Sequence, residues 1–331
     1  MRMIIAPFFT FLLLLLAAPP AIAEDLRCDL TGLPPLETLY QSARALDDGL
    51  CTQKRDKAEA LVRYRKAAQQ GHMLAQYQTA ETYFAGDGVP TDYARAKEWY
   101  LKAAKQGHGL SQLRLGFLTA EKHFEGVTAD LADAETWFKK AAEQDAGDAR
   151  FRLGNFYINY KRPPDYAQGR LWLEKAAEGG HRTAMYDLGR LLFAGAHVEK
   201  DEATGMKWIT KAAEENLLQA QMTLVDIHTD AKEPLKALKW ILRLTATPAA
   251  PAFYLDKAAD MFFEGKDGVP RNYPAARQYY ERAAQKGDRH AMERLADIYA
   301  QGLGVEKDET KAAEYRKKAT SPSGAVSPAG R

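Results

Sequence analysis

The chain has 331 residues, with 46 Lys and Arg against 44 Asp and Glu, and a formal net charge of +2. This balance excludes the strong basic excess that is typical of nucleic-acid binding, and it also excludes an acidic tail. A hydrophobic content of 46% and a charged content of 27% are ordinary for a folded protein, so the composition favours one to three globular domains.

The first segment of the chain has the pattern of a secretory signal peptide over residues 1–23. Arg2 precedes an apolar run from Met3 to Ala18. Small residues, Ala21 and Ala23, stand at positions −3 and −1 relative to the expected cleavage site. We therefore expect cleavage after Ala23, export, and a location in the bacterial periplasm. An uncleaved anchor is the alternative, but the apolar run is short for a bilayer, which needs about 20 residues. No other segment approaches that length, so membrane contact is expected only through a partner.

Two cysteines, Cys28 and Cys51, follow near the mature N-terminus. In an oxidising compartment two nearby cysteines tend to pair, and a bridge that closes about 24 residues contributes roughly 3 kcal/mol in the chain-entropy model. Two unpaired thiols are the alternative. A redox-catalytic role is disfavoured because the spacing is unlike Cys-x-x-Cys.

The chain beyond this point repeats one unit of about 36 residues, marked by a column of aromatic residues. The steps between successive members are 38, 35, 36, 32, 39 and 36 residues. The members are Trp99, Trp137, Trp172, Trp208, Trp240, Tyr279 and Tyr315.

Small residues surround each aromatic at helical spacing, which predicts a helix B with the aromatic column in its core. A small residue stands three positions before, such as Ala96, Gly169 or Gly205, and an alanine pair usually stands four and five positions after. Seven positions before the aromatic stand N-capping residues, at Asp92, Asp130, Asp165, Asp201, Glu233, Asn272 and Asp308. Eight positions after it stand residues that end helices, at Gly107, Asp145, Gly180, Asn216, Pro248 and Gly287.

A second helix, helix A, precedes each helix B and carries Leu-Gly or a similar pair, as at Leu115-Gly116 and Leu188-Gly189. Gly-rich loops join the two helices. Because neither helix is long enough to be stable alone, stacking must bury a continuous apolar seam. We therefore predict an all-α chain, a right-handed α-solenoid superhelix of helix pairs.

The predicted organisation has five parts. Residues 1–23 are the signal peptide. Residues 24–70 form an N-terminal cap with a degenerate first repeat, over 36–47 and 57–70. Repeats follow over 71–247 and 248–320, with a hinge suggested by the sequence TATPAAPA at 245–252, and the Ser-, Pro- and Gly-rich tail at 321–331 is expected to be disordered.

The unit resembles the Sel1-like repeat, a relative of the tetratricopeptide repeat. The residues that carry the resemblance are Leu-Gly, Gly-x-Gly-Val, Asp, Lys-Ala, Trp-Tyr and Lys-Ala-Ala-x-x-Gly, most fully in Thr82–Gly107 and Ala296–Ala319. A plain tetratricopeptide array is the alternative, but it favours a strict period of 34 residues. The resemblance implies a bacterial, exported scaffold that binds another protein, as an extended peptide or a helix in a concave groove.

Chemical motifs are not evident in the sequence, so we predict no catalytic residues, no cofactor and no metal site. His72, His108 and His181 recur after helix B, with His290 nearby, and are interpreted as parts of the repeat turn. The Gly-rich loops lack the strand and the Lys-Ser/Thr of phosphate loops. Of the aromatic residues outside the column, Tyr93, Tyr100, Tyr273 and Tyr280 are expected to be exposed and are the candidates for ligand contact.

The sequence thus favours a non-enzymatic adaptor, for example one that regulates a membrane sensor or an envelope polysaccharide or motility system, a role implied by the resemblance. The first alternative is a glycan- or peptidoglycan-binding protein, which would use exposed aromatic residues. The second is a β-lactamase-like hydrolase, which some cysteine-rich relatives suggest. The residues that contact a partner are not indicated.

Overall fold

A computed structural model describes residues 30, 32–50, 54–144 and 147–320, and the regular secondary structure within these ranges is entirely helical. The predicted all-α fold is therefore confirmed. The signal peptide 1–23, both cysteines (Cys28 and Cys51) and the tail 321–331 lie outside the described residues. In the described part of the chain, every helix is too short or too polar to cross a bilayer.

Sixteen α-helices follow one another in the described residues, and a π-helical turn, Phe156–Tyr160, extends the seventh. They are α1 Pro35–Asp48, α2 Lys57–Gln69, α3 Met73–Ala85, α4 Tyr93–Lys105, α5 Gly109–Ala120, α6 Leu131–Glu143, α7 Gly147–Asn155, α8 Tyr166–Glu178, α9 Arg182–Ala194, α10 Glu202–Glu214, α11 Leu218–Asp230, α12 Pro234–Thr245, α13 Ala252–Glu264, α14 Tyr273–Gln285, α15 Arg289–Gln301 and α16 Glu309–Thr320.

The helices form pairs in which an odd-numbered helix A packs against the even-numbered helix B that follows it, and contacts run chiefly between helices that are neighbours in sequence. This is the packing of a solenoid. The helices α1 and α2 overlap the segments 36–47 and 57–70 that the sequence assigned to a degenerate first repeat. The chain divides into two compact units between Ala176 and Ala177, so that unit 1 holds α1–α7 and most of α8, and unit 2 holds α9–α16. The sequence boundary at 247/248 stays a prediction.

The helix termini follow the residues that the sequence indicated. The carboxylate of Asp92 accepts a hydrogen bond from the backbone N–H of Arg95, and Asp130, Asp165, Asp201, Asn272 and Asp308 cap their helices in the same way. Glu233 is the exception, since its carboxylate binds His228 and Lys236 instead. After helix B, Gly107, Gly180, Asn216 and Gly287 adopt the expected positive φ.

The recurring histidines cap helices A, which agrees with their assignment to the repeat turn. Nδ1 of His72 accepts from the backbone N–H of Ala75, and His108 and His181 make the equivalent bond. Each imidazole therefore satisfies a backbone N–H group that the first helical turn leaves without a partner.

The aromatic column differs from its predicted place in the core. Trp137 and Trp240 are buried, whereas Trp99, Trp172, Trp208, Tyr279 and Tyr315 are only half-buried. After each of the first six members the next residue is more deeply buried, namely Tyr100, Phe138, Leu173, Ile209, Ile241 and Tyr280. The physical reason is that the same small residues flank both the column aromatic and the residue after it. Counted from the buried residue, they stand four positions before it and three and four positions after it, so helical spacing alone fits either position.

A basic side chain covers the ring of each column aromatic. Lys102 Nζ lies 3.7 Å from the centroid of Trp99, and the same cation–π contact recurs three residues after every member of the column. The other pairs are Lys140–Trp137, Lys175–Trp172, Lys211–Trp208, Arg243–Trp240, Arg282–Tyr279 and Lys318–Tyr315. The column thus forms the edge of the apolar face, where a ring is half-buried and the long side chain of a cation shields it from water.

Close approach of the two helices of a pair explains the glycines in the small-residue column. A Cβ on Gly205 would lie 2.6 Å from the backbone nitrogen of Phe193 and 2.7 Å from the carbonyl oxygen of Gly189. A Cβ on Gly169 would lie 2.4 Å from Ile158 Cγ1. The backbone contacts at Gly205 leave no space for even a methyl group.

Gly205→Ala is therefore expected to destabilise the protein by about 1–3 kcal/mol, because overpacking outweighs the better helix propensity of alanine. Urea unfolding measures the change. Lys207→Ala, at an exposed position of the same helix, is the control and should stay within about 0.5 kcal/mol of the wild type. A Gly205→Ala variant as stable as the wild type would contradict the close approach.

Glu135 of α6 links its helix to the segment after α7. Its carboxylate accepts hydrogen bonds from Lys139, Lys161 and Tyr157 at 2.8, 2.7 and 2.9 Å. Burial raises the pKa of Glu135, but these three bonds outweigh burial and lower the pKa from 4.5 to about 2. The folded state therefore prefers the ionised carboxylate.

Because the folded pKa of Glu135 is lowered, its contribution to stability is present above pH 4.5 and disappears as the pH falls towards 2. Glu135→Gln should lower the free energy of unfolding by about 1–2 kcal/mol at pH 7, because solvent screens this partly exposed group, and by much less near pH 2. Denaturant unfolding across this pH range measures the difference. Glu143→Gln, at an exposed position of α6, is the control. A difference that does not depend on pH would refute the assignment.

Candidate partner-binding surface

Each helix A presents one face to the core and the opposite face outward. In α3, which His72 caps, the buried residues stand three, four, seven, eight and eleven positions after the cap. The residues two, six and nine positions after the cap, Leu74, Gln78 and Glu81, lie on the opposite side and are not buried. We call these three positions of every helix A the outer stripe.

Large apolar side chains are exposed at the start of several helices A. Leu74 of α3 and Leu110 of α5 occupy equivalent positions in unit 1 and are 38% and 53% exposed. In unit 2, Leu218 begins α11 with 46% exposure, and Phe253 of α13 is 63% exposed. Leu74, Leu110 and Phe253 each stand two residues after the N-cap residue of their helix, and Leu218 stands one residue after it. Exposed apolar side chains that recur near the start of helices A are typical of a surface that packs against another molecule.

Unit 1 carries a charged cluster on the outer stripes beside these side chains. Arg114 of α5 donates from Nε and Nη2 to the two carboxylate oxygens of Glu81 of α3, at 2.8 and 3.0 Å. The Tyr100 hydroxyl donates to the same carboxylate at 2.5 Å, and the guanidinium lies over the ring of Phe84. A bidentate pair with a third hydrogen bond fixes the orientation of both charged groups.

Unit 2 repeats this cluster with an additional histidine. The Tyr280 hydroxyl donates to Asp260 at 2.5 Å, and Arg294 lies over the ring of Phe263. Arg294 and Asp260 stand at the same positions of their helices as Arg114 and Glu81 do in unit 1. His290 Nδ1 contacts both oxygens of Asp256 at 3.0 Å, and Arg294 Nε lies 3.3 Å from His290 Nε2.

Three side chains in unit 2 meet the distance requirement of a metal site, since the ligand atoms of Asp256, Asp260 and His290 lie within 4.8 Å of one another. Both imidazole nitrogens already contact protein groups, however, and Arg294 brings a positive charge. Burial lowers the pKa of His290, but the hydrogen bond to Asp256 outweighs burial and raises it. A metal needs a neutral imidazole, so the arrangement fits an ion-pair network better than a metal site.

The four tyrosines that the sequence offered as ligand contacts do not form an exposed set. Tyr100 and Tyr280 are fully buried, so their predicted exposure is wrong. They fill the space between the small residues of their helices and use their hydroxyls inside the clusters. Tyr93 and Tyr273 are half-buried, with rings packed edge-on against Phe84 and Phe263.

Buried glutamines, which the sequence analysis missed, hold successive pairs together. Nε2 of Gln76 donates to the carbonyl oxygen of Ala68, near the end of the preceding helix B, at 3.1 Å. Gln112 and Gln221 make the same bond to Ala104 and Ala213. The signal was present, because glutamine recurs four residues after the N-cap residue of α3, α5 and α11. These bonds set the position of each helix A and therefore of its outer stripe.

Comparison with known proteins identifies the repeat. The family model of the Sel1 repeat matches residues 37–72, 74–108, 109–145, 147–181, 183–217, 254–288 and 289–321. The helices α11 and α12 lie in the unmatched interval, yet they pair like the others.

An uncharacterized protein of Neisseria meningitidis serogroup B is 27% identical over 272 residues, which cover 80% of this chain and 54% of that protein. The chain thus spans about half the length of the curated relative it matches. The crystal structure of a Sel1 repeat protein from Oxalobacter formigenes is similar with a TM-score of 0.58 and 24% identity, over 96% of this chain and 90% of that one. This likeness shows the fold. A protective antigen of uropathogenic Escherichia coli with an SLR fold aligns with a TM-score of 0.40 and 27% identity, over 90% of this chain and 72% of that one.

The histidine of the unit 2 cluster gives a pH prediction. A raised folded pKa means that the contribution of His290 to stability is present below its ordinary pKa of 6.5 and is lost as the pH rises through the folded value. Relative to His290→Gln, the wild type should therefore lose stability on going from pH 6 to pH 9. Thermal melting across this range measures the difference, and Asp256→Asn should abolish the same trend. A constant difference between wild type and His290→Gln would rule out the ion pair.

Proposed function

Because the chain belongs to the Sel1 repeat family, we propose that it is an exported adaptor that binds another protein through the outer stripes and exposed starts of its helices A. Sel1 repeat proteins are typically scaffolds for protein interactions and are generally non-catalytic. The proposal adds to this general role a location in the periplasm, a regulatory purpose and a specific surface.

The single observation that supports this surface is the exposure of Leu74, Leu110 and Phe253 at one repeated position. Binding surfaces commonly combine apolar anchors with fixed polar groups around them. Here the anchors share the outer stripes with the Arg114–Glu81 pair in unit 1, and with Arg294 in unit 2. Because packing already fixes these charged groups, they would lose little further side-chain entropy when a partner binds.

A regulatory role in the envelope is the finer part of the proposal. Its support is the signal-peptide pattern of residues 1–23 and the resemblance to exported Sel1-like adaptors, some of which control membrane sensors, polysaccharide synthesis or motility. A partner could be an extended peptide or a helix, because both can place several side chains along a repeated surface.

Glycan binding has less support from the described residues. A sugar would stack on an open aromatic face, whereas a lysine or arginine covers each ring of the column, as Lys102 covers Trp99. Of the other four aromatic candidates, Tyr100 and Tyr280 are buried, and the rings of Tyr93 and Tyr273 pack against phenylalanines. The outer stripes therefore favour a protein partner.

The proposal predicts that Leu110→Asp in unit 1 or Phe253→Asp in unit 2 reduces recovery of a specific partner by about tenfold or more, since each places a charge on an apolar contact. The measurement is affinity capture with the purified chain, from periplasmic and cytosolic fractions of the source bacterium in parallel.

Val62→Asp and Leu235→Asp are the matched controls, because these side chains are 57% and 55% exposed but lie on helices B. Both controls should retain the partner. Equal loss with all four variants would contradict the surface, capture from the cytosol alone would contradict the location, and repeated capture without any partner would contradict the adaptor function.

A further inference from the structure

A cleft of about 230 Å³ opens in unit 1 between α1, α2 and α3. Its walls include Asp47 of α1, Lys57 and Tyr64 of α2, and Gln78 and Glu81 of α3. Sites for drug-sized ligands span about 300–1,000 Å³, so this cleft has the size for one small group.

The hydroxyl of Tyr64 lacks a hydrogen-bond partner among the residues that the structure describes, although the residue is only 1% exposed. Burial raises the pKa of Tyr64, so the hydroxyl stays neutral. Buried polar groups in folded proteins nearly always have a partner, because leaving one unsatisfied is costly. The orphaned hydroxyl therefore marks a position for a polar group that enters from outside.

Equivalent tyrosines elsewhere in the chain are satisfied. Tyr100 and Tyr280 occupy the same position of helix B as Tyr64, and they donate to Glu81 and Asp260 at 2.5 Å. Each acid stands five residues before the glycine that ends its helix A. The tyrosine hydroxyl at this position thus makes a hydrogen bond in two repeats and makes none in the first.

Two differences in α1 produce the open position. Arg44 stands five residues before Gly49, where the other two repeats have the acid, and an arginine cannot accept a hydrogen bond. Asp47 stands two residues before Gly49, where the others have Phe84 and Phe263. Those phenylalanine rings pack against the equivalent tyrosines. A carboxylate in place of the ring leaves space and adds a negative charge.

The charges around the cleft are paired except at Asp47. Asp87 forms an ion pair with Lys57, and Glu81 is paired with Arg114 outside the cleft. Within the described residues, the carboxylate of Asp47 makes no direct hydrogen bond or ion pair. Burial raises its pKa and outweighs the positive charges of Lys57 and Arg55, which lower it. One negative charge and one hydroxyl therefore remain without partners in the same cleft.

We propose that this cleft binds a single cationic nitrogen group, an ammonium or a guanidinium, through the carboxylate of Asp47 and the hydroxyl of Tyr64. The nitrogen donates to both oxygens, which satisfies the hydroxyl and neutralises the carboxylate. The group comes either from a lysine or arginine side chain of a partner, which rests on the proposed function, or from a free small amine, which does not.

Calorimetric titration of the purified chain tests the proposal with acetyl-arginine amide and acetyl-citrulline amide, which differ in the charge of the side chain. The arginine compound should bind saturably and more weakly as salt increases, and the citrulline compound should bind at least tenfold more weakly. Asp47→Asn and Tyr64→Phe should each weaken binding of the arginine compound at least tenfold. Asp48→Asn, which neutralises an exposed neighbouring carboxylate, should leave it unchanged.

Two further probes distinguish the sources of the cation. A five-residue peptide with one central arginine that binds more tightly than butylguanidine, with the same loss in Asp47→Asn and Tyr64→Phe, indicates the side chain of a partner. Tighter binding of butylguanidine indicates a free small cation. Because these probes need no cellular partner, a failed capture experiment does not affect their outcome.

Thermal melting without a probe provides the folding control, since Tyr64→Phe keeps the ring and Asp47→Asn keeps the size of the side chain. Both variants should melt at or above the temperature of the wild type, because each removes a group that lacks a partner. The arginine compound should raise the melting temperature of the wild type alone. Equal binding of the arginine and citrulline compounds, equal binding by folded variants, or the absence of saturable binding would each overturn the proposal.

Discussion

The close approach of helix A and helix B within each pair is the constraint on which the rest of the structure depends. At Gly189 a Cβ would lie 2.9 Å from the carbonyl oxygen of Gly205, so the two backbones nearly touch. Other pairs have fully buried alanines at the position of Gly205, such as Ala96 and Ala276. One large side chain then fills the remaining space. The rotation that brings these small residues together decides which face of each helix is buried and which becomes the outer stripe.

This constraint explains how much of the fold the sequence reveals. Small residues, capping aspartates and glycines with positive φ recur because each performs the same local task in every repeat, so the period, the pairing of helices and most helix termini could be predicted. The sequence could not show which of two neighbouring residues in each helix B is the buried one. Trp208 and Ile209 share the same small neighbours, and only the packed structure shows that Ile209 is fully buried while Lys211 covers the half-buried Trp208. An apolar face about 100° wide includes both positions.

The candidate surface was harder to predict because its contacts join different repeats. Arg114 and Glu81 are 33 residues apart, and their pairing depends on which positions of consecutive helices A face each other. A repeat period alone does not give that register. Once the register is known, the equivalence of Arg294 and Asp260 in unit 2 follows from counting along the sequence. To predict that Leu110 and Phe253 are exposed, one must likewise know where each helix A begins.

The division between buried columns and outer stripes also explains how one repeat can acquire different binding properties without losing its fold. Ala67 and Tyr64 of the first repeat remain buried like Ala103 and Tyr100 of the second, so the packing is the same in both. The acid and the phenylalanine near the end of helix A are only half-buried, and in the first repeat they are Arg44 and Asp47. As a result, the first repeat has a charged cleft where the other two have a hydrogen bond between the tyrosine and an acid. Stability and recognition depend on different positions of the same helices, which allows a repeat protein to change its partners while it keeps its architecture.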